Sequence, residues 1–177
     1  MKKIFILDKS QFVSTEDLAI RILKKYFSYK QPIISRTENK KPYLENPKQA
    51  LFFSVSHTKE RVFFAVSDKN VGIDAEHVNR EVEYVPILKN FPDDEQRQIS
   101  STQDFLRFWT IKESVIKWIG GKLARDLKNI AYVDGQIYYK NLPLPVCITT
   151  KTVDSHVVSL CNEQSFDDAE WIFLDTL

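Results

Sequence analysis

Two acids two residues apart, Asp74 and Glu76, lie in the segment Val71-Gly72-Ile73-Asp74-Ala75-Glu76. In an extended strand, side chains at i and i+2 share a face. Val71, Ile73 and Ala75 then face a core, while Gly72, Asp74 and Glu76 face the other way. Two carboxylates aimed into one space repel unless positive charge lies between them, and a hard divalent cation meets that need. Gly72, with no side chain, leaves the space open. The plainer account is an exposed edge strand with two solvated acids. A third acid comes from the run Trp109 to Lys117 (WTIKESVIK). On a helix, Trp109, Glu113 and Lys117 are spaced by four and line one face. Alone, Glu113 and Lys117 make a surface ion pair of small value. Beside Asp74 and Glu76, Glu113 becomes a candidate third ligand.

Ser54-Val55-Ser56-His57 ends another strand-like run. Neighbouring strand residues point to opposite faces, so a direct Ser56–His57 proton relay has poor geometry. Anion binding, or simply a polar hairpin end, fits these residues better. His77 and His156 lack metal-ligand spacing and read as ordinary polar residues. Gly120-Gly121 follows a helix rather than opening one, so it is no dinucleotide fingerprint. Cys147 and Cys161 sit in apolar runs outside any CxxC and read as small buried hydrophobes.

These residues need elements to position them. A chain of 177 residues that is 43% hydrophobic and 28% charged can bury one core, or two small lobes sharing one. Strands are expected at 3–7, 33–38, 51–56, 62–67 and 71–76, and again at 130–133, 136–139, 146–153, 156–161 and 171–174. A helix starts after Ser14, a natural N-cap, with apolar Leu18, Ile22, Leu23 and Tyr26 at helical spacing. Short helices are expected at 84–89 and 93–99, and the clearest one at 105–119. Residues 40–47 read as a polar connection fixed by Pro42 and Pro47. The order, strand–helix–strands and then strand–helices–strands, is α+β.

Net charge is +1, but unevenly spread. Residues 1–70 carry 14 Lys and Arg against 7 Asp and Glu; residues 71–177 carry 11 against 17. One half suits an anion, the other a cation. No basic stripe interleaved with aromatics points to nucleic acid. No apolar run approaches the length of a membrane span, and Asp8 and Lys9 interrupt any signal-peptide core, so a cytoplasmic protein is expected.

In this order, the segments resemble the 4'-phosphopantetheinyl transferase superfamily. Lys41-Pro42 resembles its Gly-Lys-Pro element, and Phe53 to Thr58 its Asn-x-Ser-His-Ser/Thr strand end. Val71 to Glu76 resembles its Val-Gly-Ile-Asp-x-Glu, and Phe91 to Glu95 its Phe-x-x-x-Glu. Trp109 to Lys117 resembles its Trp-x-x-Lys-Glu-Ser/Ala-x-x-Lys. The likeness runs from about Lys41 to Leu123. It departs where Lys40, Lys59 and Lys122 stand in place of glycines, and where Phe53 or Ser54 replaces asparagine.

The resemblance implies two similar α+β lobes related by a pseudo-twofold axis, residues 1–70 and 71–177, in a monomer that holds coenzyme A, the substrate, in the cleft between them. It implies that Asp74, Glu76 and Glu113 hold Mg²⁺, with Mn²⁺ an alternative. Lys117 would neutralise a phosphate in the transition state, and Lys41, Ser56 and His57 would contact the nucleotide phosphates. Glu113 is alternatively the base toward the serine of an apo carrier protein. A basic residue for the 3'-phosphate is expected among Arg21, Lys24, Lys25 and Arg36. Ile111, Val115 and Lys122 are candidates for the carrier surface. Two other readings stay open: a non-catalytic module of the same fold that binds the carrier or coenzyme A, and a Mg²⁺-dependent phosphoanhydride hydrolase.

Overall fold

A computed structural model describes residues 1–177. β1 (Lys2–Asp8) is apolar on both faces because both are covered. Phe5 and Leu7 point to one side, Ile4 and Ile6 to the other, and all four are buried. α1 (Thr15–Phe27) begins where the Ser14 hydroxyl accepts the Asp17 N–H at 3.1 Å. It ends at Ser28, whose left-handed φ of 56° turns the chain out before Pro32 is reached. The presumed connection at 40–47 is in part a strand. β2 (Ile34–Arg36) and β3 (Pro42–Leu44) form a small antiparallel hairpin. β4 (Phe52–His57) and β5 (Arg61–Ser67) complete the first unit.

The second unit repeats that plan. β6 (Val71–His77) is followed by short α2 (Val85–Leu88) and α3 (Asp93–Gln98), then α4 (Thr102–Ile119). α4 starts three residues earlier than apolar spacing suggests, because Ser101 and Asp104 cap each other reciprocally. α5 (Leu123–Asp126) leads to a small sheet of β7 (Ile130–Val133), β8 (Gln136–Tyr139) and β9 (Leu142–Pro143). β10 (Cys147–Val153), β11 (His156–Asn162) and β12 (Glu170–Leu174) end the chain.

The two main sheets share a topology. In the first, β4 pairs with β5 and β5 with β1; in the second, β10 pairs with β11 and β11 with β6, all antiparallel. A long helix follows the first strand of each unit. This is the α+β, pseudo-twofold arrangement. α1 covers the outer face of the first sheet through Leu18, Ile22 and Leu23. The inner faces of both sheets meet through Ile4, Ile6, Phe63, Ile73, Val158 and Leu160. α4 closes the far face of the second sheet. The division at residue 70 needs one correction: β12 leaves the second unit and pairs parallel with β1, so the last strand belongs to the first sheet.

Two further expectations change. Ile111 and Val115 are buried under α4 against the second sheet and offer no surface to a partner. Cys161 is buried as expected, but Cys147 is exposed at the start of an edge strand. No helix is long and apolar enough to cross a membrane.

Candidate active site

β6 is an edge strand of the second sheet, and its outer edge faces β4. Backbone N–H groups there need acceptors. The hydroxyls of Ser54 and Ser56 supply them, accepting from Ile73 N and Ala75 N at 3.1 Å each. The Ser56 hydroxyl also donates to Asp74 Oδ1 at 2.9 Å. Ser56, expected at the nucleotide phosphates, is therefore committed to β6 and to Asp74, and it is buried. His57, on the opposite face, is exposed against the Phe12 ring at 5.2 Å between centroids.

Gly72 serves a different purpose from the one its place in the segment suggests. A Cβ there would lie 1.9 Å from Ser114 O and 2.6 Å from Trp118 N. The missing side chain lets α4 lie directly on β6, and so brings Glu113 and Lys117 beside Asp74. Lys117 Nζ donates to Asp74 Oδ1 and to Ile73 O, both at 2.8 Å. Trp109, Glu113 and Lys117 are all half-buried along one side of the helix.

Burial, then the nearby Asp74 carboxylate, pushes the Glu113 carboxyl up to about 7, with Lys117 opposing the rise. Burial and Asp74 also raise Glu76, while Arg80 holds one of its oxygens and works against the shift. Asp74 Oδ2 is buried with no hydrogen-bond partner. As the side chains stand, no three carboxylates, imidazoles or thiols form a ligating cluster, with Glu76 drawn to Arg80 and Lys117 seated on Asp74. The donor set still suits a hard cation. Burial and neighbouring carboxylate charge raise the proton affinity of Glu76 and Glu113, Asp74 keeps an orphaned buried oxygen, and divalent charge would relieve this set.

A cleft of about 200 Å³ runs between the units, lined by Thr15, Lys40, Lys41 and Ser54 on one side and Lys117 and Gly120 on the other. Lys41 lies in its wall, its amino group donating to Asn70 Oδ1 at 2.6 Å and Trp118 O at 3.0 Å. Burial draws the Lys41 ammonium down to about 8. Lys40 holds a left-handed φ of 67°, which accounts for glycine in the element it resembles. Of the basic candidates, Arg21 is tied to Asp17 and Gln11 O, and Lys25 reaches Thr176 O. Arg36 binds Glu16 and the carbonyl of Lys40, which places it at the cleft mouth.

Two contributors had no signal in the sequence, and a third had only a motif's. Lys9 lies 3.9 Å over the Phe12 ring, and with Lys117 its charge adds to burial in lowering the His57 pKa. Asn70 joins Lys41 to Trp118 O. Glu95 and Lys112, both fully buried, pair at 2.7 Å behind α4. Only Phe91 to Glu95 and the Lys of WTIKES, as motif members, pointed to that pair.

Comparison with known proteins gives two matches. Residues 70–161 match the family described as the 4'-phosphopantetheinyl transferase superfamily. The chain is also 30% identical over 126 residues to "4'-phosphopantetheinyl transferase gsp" of Aneurinibacillus migulanus, covering 66% of this chain and 52% of the relative. The chain thus matches about half the length of that protein.

Proposed function

The chain belongs to the 4'-phosphopantetheinyl transferase superfamily, and from that premise we propose that it moves the 4'-phosphopantetheine arm of coenzyme A onto a serine of an apo carrier protein, acyl or peptidyl, releasing 3',5'-ADP. The observation that supports the reading is the seating of α4 on β6 through Gly72, which brings Lys117, a residue of the inter-lobe cleft wall, onto Asp74 with Glu113 beside them. The cleft takes walls from both units of one chain, which supports action as a monomer.

Asp74, Glu76 and Glu113 would hold Mg²⁺ or Mn²⁺. Such a cation, when bound, offsets charge on the pyrophosphate of coenzyme A. Lys117 lies 2.8 Å from Asp74 and would pair with a phosphoryl oxygen as negative charge grows on it. His57, with Lys9 and Lys117 nearby, faces a region of positive charge that an anion would relieve. Ser56 fixes the Asp74 carboxylate by donating to Oδ1. Glu113, held near neutrality, is suited either to bind the cation or to take the proton of the carrier serine directly or through water.

The test is mass spectrometry of an apo carrier protein after incubation with this protein, coenzyme A and Mg²⁺. The expected result is a gain of one phosphopantetheinyl mass, abolished by EDTA and by Asp74→Ala. Unmodified carriers of several types, with coenzyme A still bound, would refute the transfer reading in favour of a binding module.

A further inference from the structure

The loop Gly120-Gly121-Lys122 joins the helix that carries Glu113 and Lys117 to the rest of the second unit. Its first half is fixed by the helix itself. Gly120, at φ 64°, sends its N–H to Lys117 O at 3.3 Å, and the Gly121 N–H reaches Ile116 O at 2.9 Å. These are the paired bonds of a Schellman ending. Across the cleft, the Asn39 side chain donates to Gly120 O at 2.9 Å. Nothing in α4 holds the loop beyond that point.

The second half is held from elsewhere. Asp126 is fully buried, and its carboxylate collects four donors: Lys122 N at 2.7 Å, Arg125 Nε at 2.9 Å, Arg125 Nη2 at 2.8 Å and Tyr139 Oη at 2.9 Å. The Asp126 N–H returns to Lys122 O at 2.9 Å, so the two residues clasp each other. Gly121 is moulded to this carboxylate: a Cβ there would lie 2.4 Å from Asp126 Oδ2. Lys122 itself is extended at φ −125°, a conformation open to any residue, so its departure from glycine costs no strain. Those donors also hold the Asp126 carboxyl down to about 2, so it is ionised at neutral pH.

We infer that Asp126 is a positioning residue whose carboxylate fixes the Gly120–Gly121 wall of the inter-lobe cleft. It touches neither the cleft nor the reacting atoms. It acts through the Lys122 N–H and through its fit to Gly121, and it anchors that wall to β8 through Tyr139. A loop with two adjacent glycines is otherwise entropically loose. The inference rests on the coenzyme A reading for its effect on binding, but not for its effect on the loop.

Two measurements on the full chain separate these claims. Hydrogen exchange on the ligand-free protein reads the loop: Asp126→Asn should speed exchange at the Lys122 amide by about tenfold or more, leaving β11 unchanged. Calorimetry with coenzyme A and Mg²⁺ reads the cleft. Wild type binds; Asp126→Asn and Asp126→Ala weaken binding by about tenfold, and in turnover KM for coenzyme A rises while kcat holds. Gly121→Ala, which drives a methyl into the carboxylate, also weakens binding. With that carboxylate gone, the Gly121→Ala/Asp126→Ala variant should bind no more weakly than Asp126→Ala alone. Unchanged amide exchange, unchanged affinity in Asp126→Asn, or fully additive losses in the double variant would each overturn the inference. Failure of wild type to bind coenzyme A, with the loop still loosened by Asp126→Asn, would instead overturn the coenzyme A reading and confine Asp126 to holding the loop.

Discussion

Lys41 illustrates what burial does to a phosphate-binding candidate. Its ammonium sits among carbonyl dipoles, Asn70 Oδ1 and Trp118 O, with no carboxylate bonded to it. Dipoles stabilise the charge without cancelling it, and the group titrates near 8. If the proposed function holds, coenzyme A affinity should therefore fall as pH rises through about 8, and Lys41→Gln should flatten that profile in calorimetry between mildly acidic and alkaline buffers. Stability runs the other way. Between about 8 and the ordinary lysine value of 10.5, the unfolded chain holds a proton that the folded chain has shed, so this residue makes the fold more stable with rising pH. At this scale the sequence was informative wherever spacing repeats. The i, i+2 acids of β6 and the i, i+4 face of α4 made Asp74, Glu113 and Lys117 candidates, and the motif resemblance, not spacing alone, assigned them to one site. It was silent on Lys9, Asn70 and Asp126, which come from element ends and turns where no period marks a direction. Ser56 was legible as a polar strand end, but not as the acceptor for an unpaired β6 N–H, because that needs the second sheet in place.

Elements, rather than single residues, hold the Glu95–Lys112 pair. It joins α3, α4 and β7: Lys112 Nζ also donates to Ile130 O, Glu95 Oε1 accepts Tyr132 N at 2.7 Å, and the ammonium lies 4.7 Å from the Phe91 ring centroid. Removing one partner leaves a buried charge alone. Lys112→Met should cost about 3–5 kcal/mol in urea unfolding, and adding Glu95→Gln should recover part of that loss. Recovery stays partial because the Ile130 carbonyl still lacks its donor. Most elements could be read from hydrophobic period and caps. α4 began early because its first turn is polar and only the cap marks it. β3 was missed because three residues, the first of them a proline, carry too little pattern. Ile111 and Val115 misled because α4 is apolar over much of its circumference, and periodicity cannot say which apolar stripe a sheet will cover.

Over the whole molecule, the repeat of strand, long helix, hairpin and two strands leaves no trace as a sequence repeat. Alternating Ile, Val, Phe and Leu satisfy a buried strand in many combinations, so two units can share a fold without sharing residues. β12 escaped the two-lobe reading because a strand's sequence does not name the sheet it joins. Truncation after residue 169 should uncover β1, speeding amide exchange in β1 while β11 amides stay protected. That same strand decides how many working sites two units can make. A perfect twofold would carry the β4–β6 contact onto a matching contact between β10 and β1. β12 already occupies the free edge of β1. The duplicated architecture is thereby made lopsided: one junction is left open and its mirror is walled off, so a chain with two halves keeps one door.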